Sequence, residues 1–441
     1  MTKQVYIETY GCQMNVSDTD TILGLLKTDG YSQTQSPDDA DVILVNTCAI
    51  RDNAEQRVYG RVGELKRHKQ KGGVLGVVGC MAQRLGSDLL EEVGHVDLVV
   101  GPDGYRTLPE LIERAGQGDR VLDVSFRTSE HYDDVVGNGE GTKGSRFVTV
   151  QRGCNYRCTF CVVPMTRGDE RSRKLSDVIG EVERLAEADT TEVTLLGQTV
   201  NSYNDGTHDF SDLLRAVGKV DGIKRVRFTS PHPNDFSDRL LSAMAEVPEV
   251  CEHVHLPMQS GSSAVLKKMV RRYTRESFLD TVQRLRSAVP EIALTTDIIV
   301  GFPGETDRDF EETLSLVREV SFDDAFMFKY SLRDGTPAVK LRDRVPEDVS
   351  SERLQLLIET VRDEARRKNL RLVGKTMEVL VEKPARRGDL LQARTRTNKV
   401  VLVENEGIDL WSYLHVRLTG TTGSTFTGVP VKARKELAVW E

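Results

Sequence analysis

The chain has 441 residues, 38% apolar and 29% charged, with a formal net charge of −8. That balance is ordinary for a globular protein of about three domains and excludes a disordered or collagen-like chain. No run reaches the ~18 apolar residues of a membrane helix and no basic-then-apolar leader opens the sequence, so a cytoplasmic protein without a membrane partner is expected. Seven cysteines, an odd count, argue against a closed disulfide framework and for metal or catalytic roles.

Residues 3–118 alternate β-rich runs with helical patterns. The runs are Val5–Thr9, Asp41–Asn46, Val74–Val78 and Val96–Val100. Ser17-Asp-Thr-Asp20 has the form of a capping box opening a helix that stops at Gly30, and Glu55–Gln70 has the pattern of a second, charged helix. Such alternation predicts a doubly wound parallel α/β domain. Residues 119–140 lose the pattern and are polar and rich in Gly and Asp, as a linker is.

The alternation resumes over 141–371. Predicted strands are Phe147–Gln151, Glu192–Leu196, Arg225–Thr229, His253–Leu256, Leu294–Val300 and Ala325–Tyr330, with helices such as Ser176–Ala188, Phe236–Ala245 and Ser277–Ala288 between them. Six strand–helix units predict a partial (β/α)6 TIM-like barrel, followed by a long charged helix over Ser351–Arg371. Residues 374–436 change class: Met377–Glu382, Leu390–Thr395, Lys399–Val403 and Tyr413–Leu418 predict a small all-β barrel. From 374 to the last residue there are 11 Lys and Arg against 8 Asp and Glu, on an otherwise acidic chain. Lys383, Arg386, Arg387, Arg394, Arg396 and Lys399 suit RNA phosphates or a solvated face equally well.

Two sets of cysteines carry chemistry. Cys154, Cys158 and Cys161 stand in one loop directly after the first barrel strand, at the mouth where barrel enzymes place their chemistry. A zinc site or three buried thiols are the alternatives, but three thiolates in a loop best suit a four-iron cluster with one iron left open. Cys12, Cys48 and Cys80 each fall just past a predicted strand, about one strand–helix unit apart. In a parallel sheet they gather in the crevice at the strand ends, where a second incomplete ligand set would form. Cys251 precedes a strand and is expected to be a buried, inert thiol.

The spacing Cys-x3-Cys-x2-Cys resembles the signature of radical S-adenosylmethionine enzymes. Over nearly its full length the chain resembles the methylthiotransferases among them. Thr9-Tyr-Gly-Cys-Gln-Met-Asn15, Asn46-Thr-Cys-Ala-Ile-Arg51, Gly79-Cys-Met-Ala-Gln83, Leu195-Leu-Gly-Gln-Thr-Val-Asn201 and Leu256-Pro-Met-Gln-Ser-Gly261 match the branch acting on isopentenylated adenosine in tRNA. The sister branches, acting on a ribosomal-protein aspartate or on threonylcarbamoyladenosine, differ around the first cysteine. One departure is Met165, where an aromatic is usual.

The resemblance implies two four-iron clusters and S-adenosylmethionine as cofactors. Cys154, Cys158 and Cys161 would serve radical generation, and Cys12, Cys48 and Cys80 sulfur donation. Gln198, Asn201, Ser230, His232, Gln259 and Asp297, at the other strand ends, would contact S-adenosylmethionine. The tail would be a TRAM domain binding the anticodon stem-loop, the electron donor a protein such as a flavodoxin, and the enzyme a monomer. A reading of another class, a non-enzymatic iron–sulfur RNA sensor, gives no reason for two open-iron sites.

Overall fold

The computed structural model describes residues 2–49, 52–137, 143–386 and 388–431, without the side chains of 52–56. Arg51, Arg387, residues 138–142 of the linker region and the last residues of the 374–436 module lie outside that description.

Six strands form the amino-terminal sheet: β1 (Lys3–Thr9), β2 (Tyr31–Gln33), β3 (Val42–Thr47), β4 (Val74–Gly79), β5 (Leu98–Val100) and β6 (Val121–Asp123). Their order is β2-β1-β3-β4-β5-β6, and every pairing is parallel. β3 and β4 are buried at every position, as strands covered by helices on both faces must be. β6 arises from the stretch expected as linker, pairing with β5 through Leu98 and Val121. β2 was not legible either, because three residues without alternation give no strand signal.

The first helix, Gln13–Thr28, starts earlier than the capping-box pattern suggests, with Cys12 at its N-cap. Ser17 and Asp18 lie inside it and are buried. Their polar atoms bond across to the next domain: Ser17 Oγ lies 2.8 Å from Thr149 Oγ1, and Asp18 meets two arginines. A tertiary partner thus accounts for polar residues that look like a cap in sequence.

β7 (Gly144–Thr149) opens the second domain, followed by the short antiparallel pair β8 (Gln151–Arg152) and β9 (Arg171–Ser172). β10 (Thr190–Leu196), β11 (Arg225–Phe228), β12 (His253–His255), β13 (Ala293–Val300) and β14 (Asp324–Lys329) continue it. β7-β10-β11 and β12-β13-β14 are parallel sheets joined by a parallel bridge between Val226 and Val250, giving six strands of a partial barrel. Alternate strand residues (Val193, Val226, Val254, Leu294 and Ile298) face the outer helices and fill the largest core. The helix Glu347–Leu370 then leads to the carboxyl-terminal module.

That module is a closed five-stranded barrel of β15 (Thr376–Pro384), β16 (Leu390–Thr395), β17 (Val400–Glu404), β18 (Tyr413–Thr421) and β19 (Thr425–Pro430). β19, absent from the sequence reading, closes it by pairing parallel to β17 and antiparallel to β18. The module sits against the amino ends of the large barrel's strands. Arg225 Nη1 donates to the Arg394 carbonyl at 3.0 Å, Arg227 Nη2 to the Thr395 carbonyl at 2.8 Å, and Lys399 Nζ to Asp323 at 2.6 Å.

This placement corrects part of the RNA expectation. Arg394 pairs with Glu382, Arg396 with Glu252 and Lys399 with buried Asp323, so these three cations serve internal contacts. Lys383 and Arg386 are exposed and make no ion pair among the described residues.

Asp323 is desolvated, yet Lys399 and Lys368 hold its carboxyl below its ordinary range. The stabilisation is therefore complete above the unfolded aspartate value near pH ~4 and is lost as pH falls through the depressed native value. Asp323→Asn is expected to lower the unfolding midpoint at pH 7 and to flatten its acid dependence. Thermal melts of both proteins between neutral and acid pH check this.

Candidate functional site

The loops that carry Cys12, Cys48 and Cys80 lie next to one another because three neighbouring parallel strands end side by side. β1, β3 and β4 deliver Cys12, Cys48 and Cys80 just past their carboxyl ends. Two asparagines lock the loops: Asn15 Nδ2 donates to Asn46 Oδ1 and to the Thr47 carbonyl, both at 3.1 Å, and Asn46 Nδ2 donates to the Asn15 carbonyl at 2.8 Å. Two glycines permit the close approach. At Gly11 (φ +139°) a Cβ would lie 2.6 Å from the Cys48 Cβ, and at Gly79 (φ +94°) it would lie 2.4 Å from Asn46 Oδ1.

The three thiols differ in character. A hydrogen bond with Cys48, helped by the charge of Arg167, lowers Cys12 to about 6 despite burial. Burial pushes Cys80 up, although Arg167 Nε donates to its sulfur at 3.1 Å. Arg333, itself buried, lies within electrostatic reach of Cys48.

The second triad occupies the loop after β8. Its sulfurs are met by donors: the Val163 N–H donates to Cys161 at 3.4 Å, Arg271 Nη1 to Cys158 at 3.5 Å, and Thr199 Oγ1 lies 3.1 Å from Cys154. Burial raises Cys154, and burial with the neighbouring Cys158 charge pushes Cys161 up to about 12. Cys154 and Cys161 thus resist ionising as single thiols, whereas bound iron would hold them as thiolates. All seven cysteines are free, and among the described residues no three His, Cys, Asp or Glu side chains converge as they would on one metal ion. Thiol-only donor sets ringed by N–H groups fit an iron–sulfur cluster better than a zinc ion. Cys251 is buried away from both triads, its N–H bonded to the Val226 carbonyl.

The two triads adjoin. Immediately after Cys161 the chain makes a short helix, Val163–Arg167, whose Met165 packs on a small apolar cluster of Ala49, Cys80 and Val162. Arg167 ends that helix and reaches Cys80. Its Nη2 lies 2.6 Å from Asp18, whose other oxygen takes Arg152 at 2.9 Å.

The expected S-adenosylmethionine contacts fall around the mouth in two groups. Gln198 and Asn201 are engaged locally: Gln198 Oε1 accepts the Gly153 N–H at 2.5 Å, and Asn201 brackets the His232 backbone at 2.7 and 2.9 Å. His232 stacks on Tyr156, ring centroids 3.7 Å apart; burial and the charge of Arg271 lower it to about 2, so the ring is neutral. Its Nε2 is buried and lacks a partner among the described residues. Ser230 and Gln259 take left-handed backbone (φ +58° and +60°), Gln259 bridging to β13 beside Asp297. Asp297 is partly exposed, 3.2 Å from His255 Nε2.

Sequence reasoning missed Arg167, Arg271, Asp18 and His255. A signal was present in Arg167, Arg171 and Arg173 directly after the triad, since closely spaced arginines beside a buried loop need acidic partners. His255 has the exposed ring of Phe326 (57%) edge-on at 5.8 Å, and Phe326 pairs in register with Asp297 on β13.

A cysteine triad of this spacing on the first loop of a six-stranded parallel partial barrel defines a radical S-adenosylmethionine enzyme. Family models agree: residues 4–101 match "Uncharacterized protein family UPF0004", 148–317 the radical SAM superfamily and 370–412 the TRAM domain. The tRNA-2-methylthio-N(6)-dimethylallyladenosine synthase of Clostridium novyi (strain NT) is 45% identical over 97% of this chain and 96% of its own. That of Bacteroides fragilis (strain YCH46) is 46% identical over the same shares. Among solved structures, the radical S-adenosylmethionine methyltransferase TsrM from Kitasatospora setae superimposes with a TM-score of 0.58 over 77% of each chain at 16% identity. The cobalamin-dependent enzyme OxsB gives 0.51 over 82% of this chain and 57% of its own at 12% identity. These two show the shared fold alone. The chain belongs to the tRNA-2-methylthio-N(6)-dimethylallyladenosine synthase family, which its relatives define over almost its whole length.

Asp18→Ala is expected to destabilise the folded chain by about 3–5 kcal/mol, because it leaves two buried guanidiniums without their carboxylate. Asn15→Ala should cost about 1–3 kcal/mol by leaving the Thr47 carbonyl and Asn46 Oδ1 without their donor. Denaturant unfolding of the two variants against the parent checks both.

Proposed function

We propose that this protein methylthiolates C2 of N6-isopentenyladenosine next to the tRNA anticodon, using two S-adenosylmethionine molecules and two four-iron clusters. The observation that carries this reading is the Arg167–Cys80 contact, which seats the loop of one cysteine triad against the other. Cys154, Cys158 and Cys161 would hold a four-iron cluster whose chemistry is one-electron reductive cleavage of S-adenosylmethionine, and Cys12, Cys48 and Cys80 would hold one whose chemistry is sulfur supply.

The chain's own residues bind and orient. Arg271, braced by Tyr273 Oη at 3.2 Å, holds positive charge beside Cys158. Asp297 keeps a carboxylate partly open at the mouth, able to accept from a hydroxyl or amine, while His255 fixes its direction. Neutral His232 leaves Nε2 available to a ligand, and Phe326 offers an open aromatic face on which a base can lie. Ala49, Val162 and Met165 form an apolar seam against Cys80, beside the loop of the other triad. Among the described residues of the module, Lys383, Arg386 and Arg417 are exposed without an ion pair and can meet tRNA phosphates. A monomer acting in the cytoplasm, reduced by a protein of the flavodoxin kind, belongs to the same reading.

Anaerobic reconstitution should load about eight irons per chain, and Cys80→Ala about four. Cys80→Ala is expected to form 5′-deoxyadenosine yet yield no methylthiolated nucleoside from isopentenylated tRNA, measured by mass analysis. Loss of both products in a folded variant overturns the division of labour. Modification of a ribosomal-protein aspartate in place of tRNA overturns the substrate. Reversing charge at Lys383 and Arg386 to Glu should weaken tRNA binding and make its salt dependence shallower, as titration at several salt concentrations will show.

A further inference from the structure

Arg167 is 3% exposed and belongs by sequence to the radical loop, yet its strongest contacts lie in the amino-terminal domain. Two guanidiniums, Arg152 and Arg167, share the single carboxylate of Asp18, which is itself fully buried. One positive charge therefore remains unbalanced in a dry site. Arg167 Nη1 is also buried with no partner among the described residues, while Nε points its N–H at the Cys80 sulfur. A buried cation with a spare donor is unfavourable unless something anionic is placed against it. The nearest candidate is the thiolate-ligated group that Cys12, Cys48 and Cys80 would hold.

We propose that Arg167 is a positioning residue for that group: it fixes the Cys80 sulfur by an N–H to sulfur hydrogen bond and makes the cluster easier to reduce. The inference rests on the two-cluster reading above. Donors to cluster sulfur and nearby positive charge stabilise the more negative, reduced state, so they raise the reduction potential. A purely structural Arg167, serving only to neutralise Asp18, would leave that potential alone.

The test uses the full chain with Cys154, Cys158 and Cys161 replaced by Ala, so that only the second cluster can form. This parent, Arg167→Gln and Arg167→Lys are reconstituted with iron and sulfide, and iron content, the electron paramagnetic resonance spectrum and the midpoint potential are measured. Arg167→Gln, which keeps an amide for Asp18 but loses the charge, is expected to load iron like the parent and to shift to a more negative potential. Arg167→Lys, which keeps the charge without the planar fork, should shift less. A parent-like potential and spectrum in Arg167→Gln overturns the inference. If Arg167→Gln does not fold, Arg167→Lys decides: a negative shift supports the inference and a parent-like potential overturns it. A parent that binds no iron overturns the two-cluster reading, and the inference with it, before Arg167 is touched.

Discussion

The carboxylate of Asp18 is the point on which the arrangement turns. It is fully buried, and it is held between Arg152 and Arg167 of the neighbouring domain. Arg152 lies just before the loop of Cys154 and Arg167 just after Cys161, so one side chain grips both ends of that loop. Asp18 itself stands on the helix capped by Cys12. A single ion-paired carboxylate thereby sets the register of two cysteine triads carried by separate domains. Arg171 with Asp103, and Arg173 with Asp133 and Glu181, extend the same seam. The buried members of this seam, Asp18, Arg152, Arg167 and Asp103 with Arg171, fix geometry closely, because each is strongly destabilising if its partner moves.

The two triads are prepared in different ways. Around Cys12 and Cys48 the backbone itself is brought close, with Gly11 and Gly79 supplying conformations and space that other residues lack. Around Cys154, Cys158 and Cys161 the loop is open in sequence and is ordered by donors from elsewhere: Thr199 after β10 and Arg271 from a distant turn. The first set is shaped by the sheet, the second by what surrounds the barrel mouth.

Much of this was legible in the sequence, for reasons particular to each element. Parallel strands buried on both faces give dense apolar runs, so β3 and β4 stood out, while β10, β11 and β13 showed as shorter apolar or alternating stretches between helical patterns, and cysteines just past strand ends could be assigned to neighbouring loops. Short edge strands such as β2 and β6 have no such run. Ser17 and Asp18 were misread because a polar pair near a helix start looks the same whether it caps the helix or meets an arginine from another domain. The arginines after Cys161, and Arg394, Arg396 and Lys399 in the last module, look like solvated charge until the fold supplies their carboxylate and carbonyl partners.

The last module has a consequence beyond any contact with RNA. It seals the amino-terminal end of the large barrel, where Arg225 is wholly buried and gives its N–H groups to Glu378 and to the Arg394 carbonyl. A domain in that position is not an interchangeable appendage. Any descendant that exchanged or discarded it would have to re-solve the floor of its catalytic barrel, finding new partners for Arg225, Arg227 and Asp323 at once. The chemistry of that floor ties the two into one structural block.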